Sequence, residues 1–325
     1  MALARLDCVP TVTILDDYQA VALDSADWSA VTDRFTVEVI TEHLNDADAL
    51  VRRLADSEVI VAMRERTPFP AALLARLPSL RLIVTTGMKN ASIDLAAAGA
   101  RSVTVCGTAG TGSAVPELTI AMMIALMRNF VPEDAAVRAG RWQHTIGPGL
   151  SGRTLGILGL GRLGMPVARL AQAFGMSVIA WSPHLTPERA EPHGARAVGK
   201  RELFARSDVV TIHMPLSERS RSLVGADELA AMKPTAYLIN TSRGPIVDEA
   251  ALVDALRARR IAGAGLDVYD IEPLPVEHPL LTLPNTLLLP HIGYVTTENY
   301  RAWFAEVVED ILAWSDGVPI RVLGA

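Results

Sequence analysis

The sequence predicts an α/β protein built from two doubly wound parallel-sheet units. Three observations predict it. Short unbroken apolar runs, many of them β-branched, alternate with helical stretches along almost the whole chain. That is how parallel strands covered on both faces read. The alternation falls into two series, separated by one strongly apolar helical segment. The chain has 325 residues, half of them apolar and 20% charged, enough for two cores of ordinary size. A mean hydropathy of +0.27 excludes disorder as the dominant state.

The first series predicts strands at 12–16, 35–40, 58–63, 80–85 and 103–106, with helices such as 46–56 and 70–77 between them. Residues 116–130 then predict one helix, with Pro116 in its first turn and Glu117 at the positive end of its dipole. That helix is apolar nearly all round, so it is expected to be buried between layers or in a subunit contact. The Gly-rich stretch 140–153 leads into the second series, with strands at 154–158, 177–182, 209–214, 236–240, 264–268 and 286–289. A long helix is expected from Thr297 to Ser315, returning to the first unit. Arg257–Arg260 reads as the cationic end of a helix over 248–260. The predicted division is 1–107 with 296–325 as one domain and 108–295 as the other.

Composition narrows the function. A net charge of −6 and a pI of about 5.7 argue against a general grip on nucleic acid. The longest apolar run, Leu118–Met127, is too short for a bilayer span, and the first residues lack a signal-peptide core. Two cysteines, Cys8 and Cys106, fit a reducing compartment, so a cytoplasmic protein is expected. The histidines have no metal-ligand spacing, and no metal is expected.

Gly159, Gly161 and Gly164 form a full G-x-G-x-x-G between the strand at 154–158 and a helix predicted over 163–174. Strand, glycines and helix in that order predict a dinucleotide site, with the diphosphate on the helix N-terminus. The second strand of such a unit usually ends in a carboxylate that binds the ribose hydroxyls. Here Ser182 stands there, followed by Pro183 and His184. Ser182 would not repel a 2′-phosphate, so NAD and NADP both stay open.

Ligands of doubly wound sheets bind beyond the carboxyl ends of the strands. Just after the fourth, fifth and sixth strands of the second series come Arg243, then Asp267 and Glu272, then His291. Each alone has a plain structural explanation. Their convergence on one crevice predicts a site.

These segments, GLGRLG, INTSRGPIVDEAAL, GLDVYDIEP and LPHIGY, resemble the D-isomer-specific 2-hydroxyacid dehydrogenases over essentially the whole chain. The resemblance implies a flavodoxin-like substrate domain, made from both chain ends, with an inserted Rossmann-like NAD(P)-binding domain. It implies hydride transfer between a small 2-hydroxyacid and its 2-oxoacid, with catalytic Arg243, Glu272 and His291. An arginine fork suits a carboxylate and an adjacent carbonyl. An imidazole passes the proton, and Glu272 orients it. Cofactor contacts are implied at Gly159, Gly161, Arg162, Leu163, Gly164, Ser182, His213, Pro215, Thr241, Asp267 and Gly293. Substrate contacts are implied at Arg64, Gly87, Met88, Lys89, Arg243 and His291. Lys89 stands where the family has glycine, so it redirects the loop, brings an ammonium to an acidic substrate, or is simply a solvated loop lysine. Arg64 reads equally as a surface residue. Tyr294, Met88 and Trp303 read either as pocket lining for a larger side chain or as packing. A homodimer is implied. Two rival readings stand: an NAD(H)-responsive, corepressor-like binding protein, and a relative acting on another substrate such as phosphite.

Overall fold

The computed structural model describes residues 9–112 and 114–324. Cys8, noted above, lies outside the described residues, as does Ser113. The chain divides into two compact units, one drawn from Met1–Thr111 and Val295–Ala325, the other from Gly112–Tyr294.

In the first unit, strands β1 (Thr11–Ile14), β2 (Thr36–Val39), β3 (Ser57–Ala62), β4 (Leu82–Thr85) and β5 (Thr104–Gly107) form an all-parallel sheet in the order β2-β1-β3-β4-β5. That is the doubly wound order of the flavodoxin type. The central strands are buried along nearly their whole length, as their unbroken apolar runs require. Helix Ala47–Leu54 starts at Asp46, whose carboxylate accepts the amides of Asp48 and Ala49. Helix Thr297–Ser315, opened by the Thr296 hydroxyl, completes this unit. Its Phe304 is fully buried, with ring centroids 6.3 Å from Trp28 and 5.9 Å from Tyr300.

In the second unit, β6 (Thr154–Leu158), β7 (Ser177–Trp181), β8 (Ala195–Ala197), β9 (Val209–Ile212), β10 (Tyr237–Asn240), β11 (Gly263–Leu266) and β12 (Thr286–Leu288) form a parallel sheet in the order β12-β11-β10-β9-β6-β7-β8. The sheet has seven strands where the sequence predicts six. The extra strand β8 is three residues long and carries an exposed arginine, Arg196, so no apolar run announces it. The chain order reverses between β6 and β9, and ligands of this fold bind at such a point. Register is in step across the sheet: Leu158 pairs with Ile212, Ile212 with Asn240, and Asn240 with Leu266. The residues that follow each strand therefore emerge along one edge.

The helix predicted over 116–130 is instead two. Ala114–Met127 ends before Asn129, which adopts a left-handed φ of +54°, and Phe130–Arg138 begins a second helix. Asparagine takes that conformation at lower cost than most residues. Among the described residues no single helix is long and apolar enough to cross a membrane. This bent pair, meeting at 60°, passes that test by length and composition only, and seven residues of its first helix are buried in the fold.

Phe304→Ala should cost about 3–5 kcal/mol of unfolding free energy, the usual loss when a buried aromatic leaves a cavity. Urea titration measures it, and an unchanged midpoint would mean that this helix adds nothing to the core of the first unit.

Candidate active site

The glycine loop is shaped by three different requirements. Gly159 has φ +103°, and a Cβ there would come within 2.5 Å of the His213 carbonyl oxygen. A Cβ on Gly164 would overlap the Gly159 carbonyl, so only glycine lets the helix Gly164–Ala173 approach β6 so closely. Gly161 faces open space, with nothing within 4 Å of a Cβ. The helix starts at Leu163 with no side chain capping its first amides. Open space at Gly161, the uncapped amides of this helix and its dipole fit the diphosphate of a dinucleotide.

Ser182 follows β7, and its hydroxyl accepts the amide of Leu160 at 3.2 Å. Leu160, Ser182, Pro183, His184, Leu185 and Arg189 line a cavity of about 210 Å³ beside the glycine loop. Arg189 donates to the His184 carbonyl at 3.0 Å, and no carboxylate lines this cavity. A wider groove of about 750 Å³ runs along β7 and β8 and includes none of the predicted site residues.

His213 follows β9 at the switch point. It is buried, its Nε2 lies 3.0 Å from the Thr211 hydroxyl, and its Nδ1 is buried with no protein partner. Burial pushes the ring down to about 4, so it is neutral at pH 7. Pro215 carries the chain on, its carbonyl accepting the Ser220 hydroxyl at 2.8 Å.

The loop after β10 is folded by Asn240, which accepts the amide of Ser242 and donates to the Arg243 carbonyl. Thr241 lies 3.0 Å from the Thr119 hydroxyl, which itself donates to the Val115 carbonyl. Arg243 is half-buried and donates to the Ser242 carbonyl at 2.7 Å. Gly244 backs so closely on Tyr269 that any side chain would overlap it, which seats the arginine loop beside the loop after β11.

Asp267 lies at the end of β11 and is 1% exposed. Its two oxygens accept the amides of Ile292 and Gly293, each at 2.8 Å. Burial pushes this carboxyl up, against the opposing pull of those amides and of the His291 ring. The clasp fixes the turn after β12, where His291 has φ +55°. His291 Nδ1 lies 2.6 Å from Glu272 Oε2, and the other Glu272 oxygen accepts the Tyr269 amide at 2.9 Å. Tyr294 stands edge-on to the His291 ring at 5.5 Å. Asp267, Glu272, His291 and Gly293 are thus brought into contact, with Arg243 on the neighbouring strand end. Arg162 is exposed on the glycine loop, and Leu163 is the N-cap of its helix.

In the first unit, Arg64, Gly87, Met88 and Lys89 gather beyond β3 and β4. Gly87 has φ +109°, and its amide donates to the Thr108 hydroxyl at 3.0 Å. The Arg64 guanidinium lies against Gly87 so tightly that a Cβ there would overlap it, and it donates to the Thr86 carbonyl at 3.1 Å. Gly87 takes a left-handed backbone in this loop, and Lys89 does not. Lys89 and Met88 are exposed. Trp303 is buried, 5.9 Å below Arg64. Among the described residues no group of three potential metal ligands occurs.

Sequence reasoning did not assign a role to the Tyr269 hydroxyl. It bonds the carbonyls of Leu289 and Leu266 at 2.9 and 3.2 Å, tying together the ends of β12 and β11. Nor did it assign Asn240, although an asparagine before a tight turn is a recognisable signal. His278, paired with Glu249 at 2.9 Å, is supported by no local pattern.

The D-isomer specific 2-hydroxyacid dehydrogenase NAD binding domain matches residues 120–293 of this chain. The chain belongs to the D-isomer-specific 2-hydroxyacid dehydrogenases. Among members of this family, it is 37% identical over 289 residues to a glyoxylate reductase from Thermococcus litoralis, covering 86% of this chain and 84% of that protein. It is 36% identical over 277 residues to a D-3-phosphoglycerate dehydrogenase from Archaeoglobus fulgidus, covering 84% of this chain. The match spans only 52% of that longer protein. A crystal structure of phosphoglycerate oxidoreductase from Vibrio cholerae superposes with a TM-score of 0.90 at 36% identity, covering 95% of this chain and 99% of the other. As a 2-hydroxyacid dehydrogenase, the chain is an NAD(P)-binding oxidoreductase of small hydroxyacids.

The neutral His213 gives a pH prediction. An unfolded histidine takes up its proton near 6.5, while the buried one does so only near 4. The stability it contributes is full above pH 6.5 and is lost as pH falls from 6.5 to 4, by up to about 3 kcal/mol. Urea titrations across that range should show a flatter profile in His213→Gln. An equal slope in both proteins would show that His213 stays solvated.

Proposed function

We propose that this chain is an NAD(P)-dependent D-2-hydroxyacid dehydrogenase working as a 2-oxoacid reductase, with Arg243, Glu272 and His291 as its catalytic residues. The observation that carries the reading is the 2.6 Å contact between Glu272 and His291 Nδ1, on a turn clasped by a buried aspartate. With Nδ1 committed to the carboxylate, Nε2 is the nitrogen that exchanges a proton with substrate. In reduction His291 starts with both nitrogens protonated and gives the Nε2 proton to the ketone oxygen. In oxidation the neutral ring takes the hydroxyl proton back. Glu272 keeps the ring oriented and balances its charge while it carries both protons. The Arg243 fork holds the substrate carboxylate and polarises the ketone oxygen. Bound to the second unit, the nicotinamide supplies the hydride that C2 receives.

The amides of Gly159 to Gly164, including those of Arg162 and Leu163, would hold the diphosphate. Ser182 would meet the adenosine ribose. His213, Pro215, Thr241, Asp267 and Gly293 would line the nicotinamide side, with the His213 Nδ1 and the Thr241 hydroxyl as its polar contacts. Arg64 and the Gly87–Lys89 loop are the carboxylate-binding group we propose for the first unit. The cavity around Ser182 has cationic lining and no carboxylate, which supports binding of NADPH at least as well as NADH. We also propose a cytoplasmic homodimer. Phe130, Val131, Val137, Trp142 and Ile146 are all more than half exposed, an unusual apolar stretch for a face left in water.

Oxidation of NADPH and NADH, followed by absorbance, should proceed with at least one of glyoxylate, hydroxypyruvate, pyruvate and phenylpyruvate. His291→Ala should lower kcat by about 10²–10⁴. Arg243→Ala should lower kcat/KM by about 10²–10⁴, the loss of a two-pronged charged contact. Tight cofactor binding without turnover of any oxoacid would turn the reading toward a cofactor-responsive binding protein or a substrate such as phosphite. Calorimetric titration should give a Kd for NADPH no weaker than for NADH, with Arg189→Ala weakening NADPH selectively. Binding of NADH alone would overturn the cofactor part of the proposal.

A further inference from the structure

The chain does not stop at helix Thr297–Ser315. Residues 320–324 turn back and run along β5, the open edge of the first sheet. Cys106 and Val322 form an antiparallel bridge. Leu323 donates its amide to the Val105 carbonyl at 2.7 Å, and Gly107 donates to the Arg321 carbonyl at 3.1 Å.

This short pairing is pinned from the helix side. Arg321 has a left-handed φ of +51°. Its Nε donates to Asp310 at 3.0 Å, and one terminal nitrogen donates to Glu309 at 3.0 Å and to the Glu306 carbonyl at 2.8 Å. Asp310 is fully buried. The same helix also holds the strand exit directly, since Glu306 accepts the Ala109 amide at 2.6 Å.

The tail reaches the substrate loop through one position. A Cβ on Gly107 would lie 3.3 Å from the Leu323 side chain on one side, and 2.7 Å from the Gly87 carbonyl and 3.3 Å from Met88 Cα on the other. Leu323 and the Gly87–Met88 backbone therefore flank the same glycine, with no room between them for a side chain. The next residue, Thr108, accepts the Gly87 amide. Any slack in the tail opens space behind the turn that gives Gly87 its left-handed backbone.

We propose that the tail is a backstop for the Gly87–Met88 loop, and that Arg321 and Leu323 are positioning residues for the substrate carboxylate. The proposal rests on the reading of that loop as a carboxylate site. A loop held from behind keeps its amides aimed without rearranging when substrate arrives, so the tail acts on ground-state grip and leaves the hydride step alone.

Asp310 adds a second readout. Burial pushes its carboxyl up to about 7, with Arg321 pulling it down and Glu306 and Glu309 pushing it up. Cys106 faces it from β5, its thiol itself pushed up to about 12. Docking of Arg321 favours the ionised carboxylate, so the tail is held more firmly as pH rises through 7.

The test compares Arg321→Gln and Leu323→Ala with the parent protein, using the oxoacid turned over fastest among glyoxylate, hydroxypyruvate, pyruvate and phenylpyruvate. KM should rise about tenfold in each variant while kcat stays within twofold, the pattern of lost uniform binding. NADPH affinity, read by fluorescence titration, should be unchanged. Hydrogen exchange should quicken over residues 85–90 and 104–108. In the parent, exchange over 104–108 should slow, beyond the intrinsic pH effect, as pH rises through 7, and this change should vanish in Asp310→Asn. Gly87→Ala tests the loop itself and should also raise KM. If Gly87→Ala raises KM and the tail variants do not, the backstop is wrong and the loop reading survives. If Gly87→Ala leaves KM unchanged, both fall. If kcat and NADPH affinity decline together with KM, the tail serves general stability and the proposal fails. Should Arg321→Gln not fold, Leu323→Ala leaves the ion pairs intact and carries the comparison.

Discussion

Asp267 accepts the amides of Ile292 and Gly293, and through them fixes the turn in which His291 takes a left-handed backbone. Such a conformation costs on the order of 1–3 kcal/mol and persists only where the surroundings over-determine it. The over-determination comes from the sheet. The Asp267 amide donates to the Asn240 carbonyl, the Leu289 amide donates to the Leu266 carbonyl, and the Tyr269 hydroxyl bridges Leu266 and Leu289. The backbone ladder of β10, β11 and β12 thus sets where the carboxylate sits, and the carboxylate sets where the imidazole sits. A buried aspartate is costly to ionise, and two amides in a water-poor place supply the compensation that makes it tolerable.

The glycine loop and His213 occupy the other side of the same edge, where the strand order reverses. His213 packs its backbone against Gly159 while its ring stays neutral for lack of solvent. Burial alone keeps this ring uncharged, so its unpartnered Nδ1 offers a hydrogen bond without a net charge. The other ionisable groups of this edge, Asp267, the His291–Glu272 pair and Arg243, lie on the loops after β10, β11 and β12.

How much of this was legible in the sequence follows from the kind of contact involved. Strands read well because parallel strands are apolar on both faces, and the positions after them were found by counting strand ends. Asp267, Glu272 and His291 do meet, and Gly159, Gly161 and Gly164 do occupy a strand–turn–helix. β8 was missed because three residues with an arginine among them carry no periodic signal. The helix break at Asn129 was missed because the apolar run continues on either side of it. The Tyr269 bridge and the Glu249–His278 pair join residues 20 to 29 positions apart, and no local pattern encodes such partners. The Gly87 turn was legible as a glycine position because its φ of +109° is one that other residues rarely adopt.

The first unit is interrupted by the whole of the second, and Phe304 is the residue that packs against Trp28. During synthesis the first 111 residues leave the ribosome with the apolar face around Trp28 uncovered. They wait for residues 112–294 to be made before the covering helix appears, a delay of roughly 10–40 s at ordinary elongation rates. The second unit is contiguous and meets no such delay. It is thus the part able to fold first, and the N-terminal segment spends that interval as the aggregation-prone species, needing either a chaperone or a slow, reversible collapse until the last helix emerges.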